Sequence, residues 1–370
     1  MENKIDVYYN NKLVGTIGMI DKIKKYAFQY DSDWIKTGFS ISPFSLPLKE
    51  GLFIPNDMTF KGFFGVFADS LPDSWGNLLL ERYLRKNGIK EYDGLYKLAC
   101  VGKGGMGALE YIPNKEYKAN EVVDFDEFQK EVNNILSNEE NVNIDLLYGY
   151  GGSSGGARPK ALINIDNEDW IIKFQSRYDI INSGLCEYEY SLACKEIGIN
   201  IPTTKLFDSK ISKGYFGIKR FDRINGNKIH VITAAALLEA DFNSPCADYL
   251  DLFKLTRILT IDDKNDLEDL YLRMCFNVFA HNLDDHLKNF SFVYDENINR
   301  YRLSPAYDMT YSNTYYGEHT TSVNHKGKDI TIDDLVIVGT KSGLKKDFCL
   351  NEANRVKKIV NKRLNKYLNY

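Results

Sequence analysis

A segment in the C-terminal half of the chain carries the residue types that phosphoryl transfer requires. Residues 281–292 read HNLDDHLKNFSF and follow an apolar, helix-like run. Asp284 and Asn289 have the order and spacing of the catalytic-loop Asp and Asn of kinases, and Asp308, beyond a short predicted hairpin, takes the place of a metal-binding Asp. The pattern predicts that Asp284 orients an acceptor hydroxyl, and that Asn289 and Asp308 hold Mg²⁺ on a nucleotide. Lys288 is placed to neutralise charge on the transferred group.

Two other interpretations of this segment stay open. His281 and His286, with Asp284 and Asp285, are also compatible with a divalent transition-metal site, although HxxDDH is not a usual zinc spacing. A loop of solvated charges is the second alternative. An Asp, an Asn and a later Asp in this order between a helix and a hairpin favour phosphoryl transfer over both.

A glycine-dense segment precedes it in the chain. Residues 151–160 read GGSSGGARPK. Glycines let a backbone approach a polyphosphate closely, while Ser153, Ser154 and Lys160 add hydroxyl donors and charge. The segment is neither a Walker A sequence nor a kinase GxGxxG, and a flexible loop between strands explains it equally well.

Lys173 stands in the otherwise apolar predicted strand Trp170–Phe174. A lysine buried there without a partner would carry a desolvation penalty. In kinases a strand lysine bridges the nucleotide phosphates and a glutamate of the next helix, and Glu187 and Glu189 begin the next predicted helix here. The alternative is a lysine on the solvent face of an edge strand.

The apolar periodicity arranges these segments in a definite order. A β-rich part comes first, then the glycine segment beside strands, a single helix, and a mainly helical part, which favours a two-lobed phosphotransferase over a βαβαβ dinucleotide fold. The predicted elements are a hairpin over 1–20, strands over 161–165, 170–174, 204–207 and 215–221, and helices over 77–85, from 124 onward, over 187–197 closed by Gly198, over 248–260 and 267–280, and at the C-terminus.

Composition and charge restrict the function class. The 370 residues predict two or three domains at roughly 100–200 residues each. A net charge of −4 makes direct nucleic-acid binding a poor fit. The six cysteines form no CxxC pair, which speaks against zinc ribbons and redox motifs and favours reduced thiols in the cytoplasm. No apolar run is long enough to span a bilayer, and the N-terminus lacks the apolar region of a secretory signal.

Taken together, the motifs resemble the HipA family of toxin-type serine/threonine kinases. The similarity extends over nearly the whole chain, although Asp73-Ser74 stands where that family has Glu-Gly and Cys186 where it has Asn. The segments that carry it are Phe67–Gly76, Gly104–Leu109, Ser153–Ala161, Glu187–Ala193, Arg220–Arg223, Asn282–Ser291 and Leu303–Asp308.

The resemblance implies an α+β, two-lobed protein-kinase-like fold. It comprises an N-terminal β-rich subdomain (1–140), a kinase N-lobe with the phosphate loop (141–225) and a helical C-lobe with the catalytic loop (226–370). Asp284, Asn289 and Asp308 would be catalytic, the last two as Mg²⁺ ligands. ATP would be contacted by the phosphate loop, strand lysine, helix glutamate, hinge and catalytic loop, which are Gly155, Gly156, Ala157, Arg158, Pro159, Lys160, Lys173, Glu187, Lys219, Arg220, Phe221, His286 and Lys288.

The resemblance also implies partners and a regulatory site. Ser153 is a candidate for autophosphorylation, with Ser154 adjacent, and a phosphate there would eject the loop through charge repulsion. A small helix-turn-helix antitoxin (HipB-like) would bind DNA on behalf of the pair, and the target would be a protein, with aminoacyl-tRNA synthetases as examples in the family. The alternatives are a small-molecule or lipid phosphotransferase on the same fold, and a non-catalytic co-repressor that clamps a DNA-bound antitoxin.

Overall fold

The computed structural model describes residues 4–118, 124–139, 141–152, 155–177, 179, 182–241, 247–314 and 316–368. Contacts divide the chain into two compact units. The first comprises Met1–Gly184, Lys205–Ile232 and Ala236–Glu239, and the second comprises Leu185–Thr204, Thr233–Ala235 and Ala240–Tyr370.

Helices and strands are interspersed along the chain. The helices in the described residues are α1 (Ser32–Thr37), α2 (Gly65–Ala68), α3 (Ser74–Lys86), α4 (Gly94–Val101), α5 (Phe125–Leu136), α6 (Ile144–Gly151), α7 (Ser183–Ile197), α8 (Ala234–Leu237), α9 (Tyr249–Thr260), α10 (Lys264–Phe279), α11 (Ile332–Lys341) and α12 (Lys346–Leu364). The strands are β1 (Lys4–Tyr9), β2 (Lys12–Ile20), β3 (Lys25–Tyr30), β4 (Leu52–Phe53), β5 (Leu109–Ile112), β6 (Lys160–Ile165), β7 (Glu168–Lys173), β8 (Thr204–Phe207), β9 (Tyr215–Lys219), β10 (Arg223–Ile224), β11 (Asn227–Lys228), β12 (Val231–Thr233), β13 (Ala247–Asp248), β14 (Ser291–Asp295), β15 (Arg300–Leu303) and β16 (Thr321–Ser322).

A five-stranded sheet opens the first unit, in the order β4-β3-β2-β1-β5. Along β1 every second side chain is buried, as expected for a strand with one face on the core. Asn10 and Asn11 both have positive φ angles, 45° and 63°, which suits the tight turn between β1 and β2. The predicted hairpin is therefore confirmed over residues 4–20, and residues 1–3 lie outside the described residues.

A four-stranded sheet, in the order β6-β7-β9-β8, completes the first unit. Its inner face carries Ala161, Trp170 and Ile172, which belong to one buried apolar cluster with side chains of α3, α5 and α6. The opposite face carries Lys160 and Lys173, which are direct partners in the β6–β7 register. Packing thus fixes the sheet through one face and directs both lysines to the other.

The second unit is mainly helical around a short β-hairpin. α10 packs against α12 and α11 against α12, and β14 pairs with β15 in antiparallel register. α7 ends at Gly198, whose φ of +90° permits the left-handed end that glycine favours. Arg273 of α10 is buried and donates to the Ser304 carbonyl oxygen at 2.6 Å, which connects this helix to the segment after β15.

Several boundaries differ from the predicted ones, and two of them concern the glycine segment and the predicted hinge. Gly151 belongs to the last turn of α6 rather than to a loop, because Ile144, Leu147 and Tyr148 bury one face of that helix. β9 ends at Lys219, so the predicted strand over 215–221 is two residues too long. Within the described part of the chain, no helix combines the length and apolar character needed to cross a membrane.

Candidate active site

The predicted catalytic loop lies in the second unit, directly after α10, and is anchored by a buried asparagine. Asn282 donates from Nδ2 to Asn277 Oδ1 at 2.9 Å and accepts from the Ser312 hydroxyl at 2.8 Å. The Asp284 backbone N–H also donates to that hydroxyl, at 3.1 Å. The chain before and at Asp284 is therefore fixed by side chains from both α10 and the segment after β15.

Asp285 is the buried neighbour of Asp284 and provides a second anchor. It is 1% exposed and accepts from the Tyr249 hydroxyl at 2.9 Å and the Thr321 backbone N–H at 3.1 Å. His319 Nδ1 lies 2.9 Å from the same carboxylate and donates in the tautomer protonated there. Both oxygens of Asp285 are thus engaged within the protein.

This engagement argues against the transition-metal interpretation of HxxDDH. The described residues contain no group of three or more His, Cys, Asp or Glu side chains arranged to hold a metal ion. His286 Nε2 is 3.8 Å from Asp284 Oδ1, so these two side chains are neighbours, but Asp285 is directed to the other side.

Asp284 and Asn289 are brought together by a single turn. Residues Leu287–Asn289 form a 3₁₀ turn, and Asn289 Nδ2 donates to the Asp284 carbonyl oxygen at 2.7 Å. This bond uses the amide nitrogen of Asn289, so Oδ1 is the atom that can serve as a ligand. The Asp284 side chain is 55% exposed, in contrast to the buried Asp285.

The segment that carries Asp308 is bonded to the same loop at two points. The Asp308 carbonyl oxygen accepts from Asn282 Nδ2 at 3.4 Å, and the Tyr307 hydroxyl donates to the Lys288 carbonyl oxygen at 2.8 Å. Asp308 has a φ of +53°, a left-handed conformation that costs energy for a residue with a side chain. Such strain persists only where surrounding contacts hold it, and it concentrates at functional sites.

In the first unit, Ser153 and Ser154 of the glycine segment lie outside the described residues, whereas Gly151, Gly152 and residues 155–160 are described. The Gly156 backbone N–H donates to Asp73 Oδ2 at 2.6 Å, and Arg158 Nε lies 3.3 Å from Asp179 Oδ1. Ala157 is exposed, whereas Pro159 is buried and its carbonyl oxygen accepts from the Phe174 N–H at 2.9 Å.

Lys160 and Lys173 concentrate positive charge on one face of the four-stranded sheet. They are cross-strand partners, and Lys160 is only 8% exposed. Lys173 Nζ lies 5.7 Å from the centre of the Phe216 ring and borders a cavity of about 310 Å³.

The predicted hinge residues have mixed environments. Lys219 Nζ pairs with Glu168 Oε1 at 2.5 Å, and Phe221 is half-buried in a turn. The Arg220 guanidinium is buried and donates to both carboxylate oxygens of Asp222 and to the Gly105 carbonyl oxygen. The Arg220 side chain is therefore bonded within the first unit.

Glu187, the predicted helix glutamate, belongs to α7 of the second unit and is 4% exposed. Glu187 is therefore buried. Burial is compatible both with the predicted role and with a purely structural carboxylate.

Sequence reasoning assigned no role to several residues that shape the site. Tyr249, His319 and Thr321 hold Asp285, but they lie 34 to 36 residues from it along the chain and form no local pattern. Asp73 and Trp75 contact the glycine segment, and the only signal was their place in the Phe67–Gly76 motif.

Comparison with known proteins identifies the family. The model of the HipA-like C-terminal domain matches residues 152–366, and that of the HipA N-terminal domain matches residues 5–112. The chain therefore belongs to the HipA family, and the resemblance inferred from the motifs is confirmed.

Two relatives add detail. The Sinorhizobium fredii protein "Putative kinase Y4dM" is 27% identical over 203 residues, which cover 50% of this chain and 48% of that protein. The chain thus spans about half the length of the curated relative it matches. A chain from the Shewanella oneidensis MR-1 HipA–HipB–operator DNA complex is similar with a TM-score of 0.72 and 16% identity, over 98% of this chain and 90% of that one. This likeness shows the fold, and the predicted α+β fold class is confirmed.

Proposed function

We propose that this protein is a HipA-type toxin kinase that transfers the γ-phosphate of ATP to a serine or threonine hydroxyl of a protein. The observation that carries the proposal is the pair of adjacent aspartates. Asp285 is fixed inside the second unit, while Asp284 is presented to solvent beside Asn289 and the strained Asp308 segment. An exposed carboxylate beside oxygen donors supports the proposal, because phosphoryl transfer needs a carboxylate that orients the acceptor and oxygen ligands for the metal ion.

In the proposed reaction the acceptor hydroxyl oxygen bonds to the γ-phosphorus as the bond to the β-phosphate oxygen breaks. The hydroxyl proton passes to Asp284, and ADP leaves. Lys160, Lys173 and the backbone N–H groups of the glycine segment would hold the phosphates through charge and hydrogen bonds.

The donor set fits Mg²⁺. Asn289 Oδ1 and the Asp308 carboxylate are hard oxygen donors, and Mg²⁺ is usually held by one or two carboxylates plus substrate phosphates rather than by an all-protein cage. When bound, the ion would neutralise the phosphate charge.

The test is a comparison of matched aspartate variants. Purified protein is incubated with labelled ATP, Mg²⁺ and a cell lysate or a candidate protein substrate. Asp284→Asn should lower phosphoryl transfer by about 10²–10⁴-fold, because a positioned proton acceptor is lost. Asp333→Asn, an exposed carboxylate in the first turn of α11, should leave the rate unchanged. Equal rates for the two variants would remove Asp284 from the mechanism.

Two finer elements of the proposal concern regulation and partners. Ser153 is the proposed autophosphorylation site, and phosphopeptide mapping of the same reactions should find label there in the parent and none in Asp284→Asn. Membership of the family and the composition of the Shewanella complex support a helix-turn-helix antitoxin that carries this acidic chain to DNA. If this chain alone retarded operator DNA in a gel, the assignment of DNA binding to the antitoxin would be contradicted. A translation enzyme such as an aminoacyl-tRNA synthetase is the proposed target class.

A further inference from the structure

The first turns of α3 contact the glycine segment at both of its ends. Where the segment enters β6, the Trp75 indole Nε1 donates to the Lys160 carbonyl oxygen at 3.1 Å. At its start, Gly151 packs so closely on α3 that an added Cβ would lie 2.9 Å from Leu79 Cδ1 and 3.0 Å from Trp75 Nε1. The helix thus contacts the described residues at both ends of the segment, Gly151 and Lys160.

Asp73 adds a third contact in the middle of the segment. Its Oδ2 accepts from the Gly156 N–H at 2.6 Å, a short distance typical of a hydrogen bond to a charged group. Gly156 has a φ of +88°, and a Cβ there would lie 2.5 Å from Lys160 Nζ. The lysine ammonium therefore lies beside the same glycine that Asp73 holds, which places positive charge near the carboxylate.

Asp73 makes this contact instead of capping its own helix. It occupies the N-cap position of α3, but its side chain makes no capping hydrogen bond. The other aspartates described at N-cap positions all accept from their own helices, namely Asp31, Asp93, Asp124, Asp248 and Asp263. Because a capping bond is normally stabilising, its absence at Asp73 indicates that the carboxylate is committed to the glycine segment.

We propose that Asp73 is a positioning residue that clamps the glycine segment onto α3. The clamp keeps the backbone of Gly155, Gly156 and the following residues in the conformation that the proposed phosphate site needs. A preorganised loop loses less entropy on binding its ligand, so the clamp should raise affinity for nucleotide without touching it. This inference rests on the proposed function for its nucleotide readout only.

The first measurement is hydrogen–deuterium exchange of the full chain without nucleotide. Asp73→Ala removes the acceptor and should speed exchange in peptides covering 151–160 by about 10-fold, the scale of one lost hydrogen bond to a charged group. Asp73→Asn keeps an oxygen acceptor and should stay within about threefold of the parent. The control Asp93→Ala removes the cap of α4 and should leave exchange in 151–160 unchanged.

The second measurement is calorimetric titration of the same proteins with MgATP. Asp73→Ala should weaken binding by about 10-fold, and Asp73→Asn by threefold or less. Trp75→Phe, which deletes only the indole donor to Lys160, should accelerate exchange at the β6 end and provides an independent variant if Asp73→Ala does not fold.

The outcomes separate this inference from the proposed function. Unchanged exchange in Asp73→Ala would overturn the clamp, as would tighter ATP binding by both Asp73 variants, which would make the carboxylate a competitor of phosphate. If the parent binds no ATP, the proposed function fails, and the exchange data alone decide whether Asp73 positions the segment.

Discussion

Asp222 is the residue whose loss should most clearly destabilise the first unit. It is 1% exposed and accepts from Arg220 at 2.7 and 2.9 Å, from Arg223 Nη1 at 3.0 Å and from the Gly107 N–H at 2.7 Å. The two guanidinium groups also donate to the carbonyl oxygens of Gly105 and Gly107. A single carboxylate therefore neutralises two arginines and connects segments about 115 residues apart.

The magnitude follows from the pKa of this carboxyl. Burial is the largest single influence on the pKa of Asp222 and would raise it, but Arg220, Arg223 and the Gly107 N–H together outweigh burial, so the pKa is lowered from 3.8 to about 2. A depression of this size corresponds to about 2 kcal/mol of folding free energy at neutral pH. Asp222→Asn also leaves two buried arginines without a counter-charge, and removal of one partner from a buried ion pair costs about 3–5 kcal/mol.

The assay uses the position of the tryptophans. All three, Trp34, Trp75 and Trp170, lie in the first unit, so their fluorescence in urea reports the unfolding of that unit. Asp222→Asn should lower the free energy of unfolding by about 3–5 kcal/mol at pH 7. Asp169→Asn, a nearby carboxylate that bonds to the exposed Asn164, should lower it by less than about 1 kcal/mol.

The lowered pKa of Asp222 determines the direction in which its contribution to stability changes with pH. Because the folded-state pKa lies below the unfolded value, the contribution of the ionised carboxylate is complete above about pH 4 and is lost as pH falls through about 2. The difference between parent and Asp222→Asn should therefore shrink over that interval. A loss below about 1 kcal/mol at pH 7, or a difference that does not change between pH 5 and pH 2, would refute the electrostatic account.

Two further predictions concern the first unit and use the same fluorescence assay. Burial lowers the pKa of His230 from 6.5 to about 4 against the opposing hydrogen bond to the Ile41 carbonyl oxygen, so the unit should lose up to about 3 kcal/mol as pH falls from 6.5 to 4. His230 is the one histidine of that unit in the sequence, so His230→Gln should remove most of this dependence of the unfolding free energy on pH. An unchanged dependence between pH 6.5 and 4 would contradict the assignment to His230. Gly65→Ala should lower the free energy of unfolding by about 1–3 kcal/mol, because the new Cβ would lie 2.5 Å from Ala236 Cα. If the variant unfolds at the same urea concentration as the parent, α2 can shift to make room and the prediction is wrong.

The sequence was informative wherever the determining interactions are local. The spacing of Asp284 and Asn289 spans one turn, and the structure closes that turn with a direct hydrogen bond. The helix predicted from 124 begins at Phe125, and the strand Thr204–Phe207 has the predicted bounds. Gly151 was an exception, because the buried face of α6 overrides the loop preference of glycine-rich sequence.

Long-range contacts could not be predicted in the same way. The Arg220–Arg223 and Gly104–Leu109 motifs were separate signals in the sequence, and only the fold shows that they form one buried cluster around Asp222. Asp73 reaches Gly156 over 83 residues. No periodicity encodes such pairs, because each depends on the packing of elements that lie far apart in the chain.

The aspartate pair shows how a stable interior determines which carboxylate is exposed at the surface. Asp284 and Asp285 are adjacent, and side chains of neighbouring residues in extended chain point to opposite sides. Tyr249, His319 and Thr321 hold Asp285 inside the second unit, so the exposure of Asp284 is a consequence of that burial rather than an independent feature. To bury Asp284 and expose Asp285 instead, the loop would have to turn over. The hydrogen bonds of Asn282 to α10 and to Ser312 prevent this. The exposed position of Asp284 is therefore specified mainly by buried residues that lie far from it along the chain.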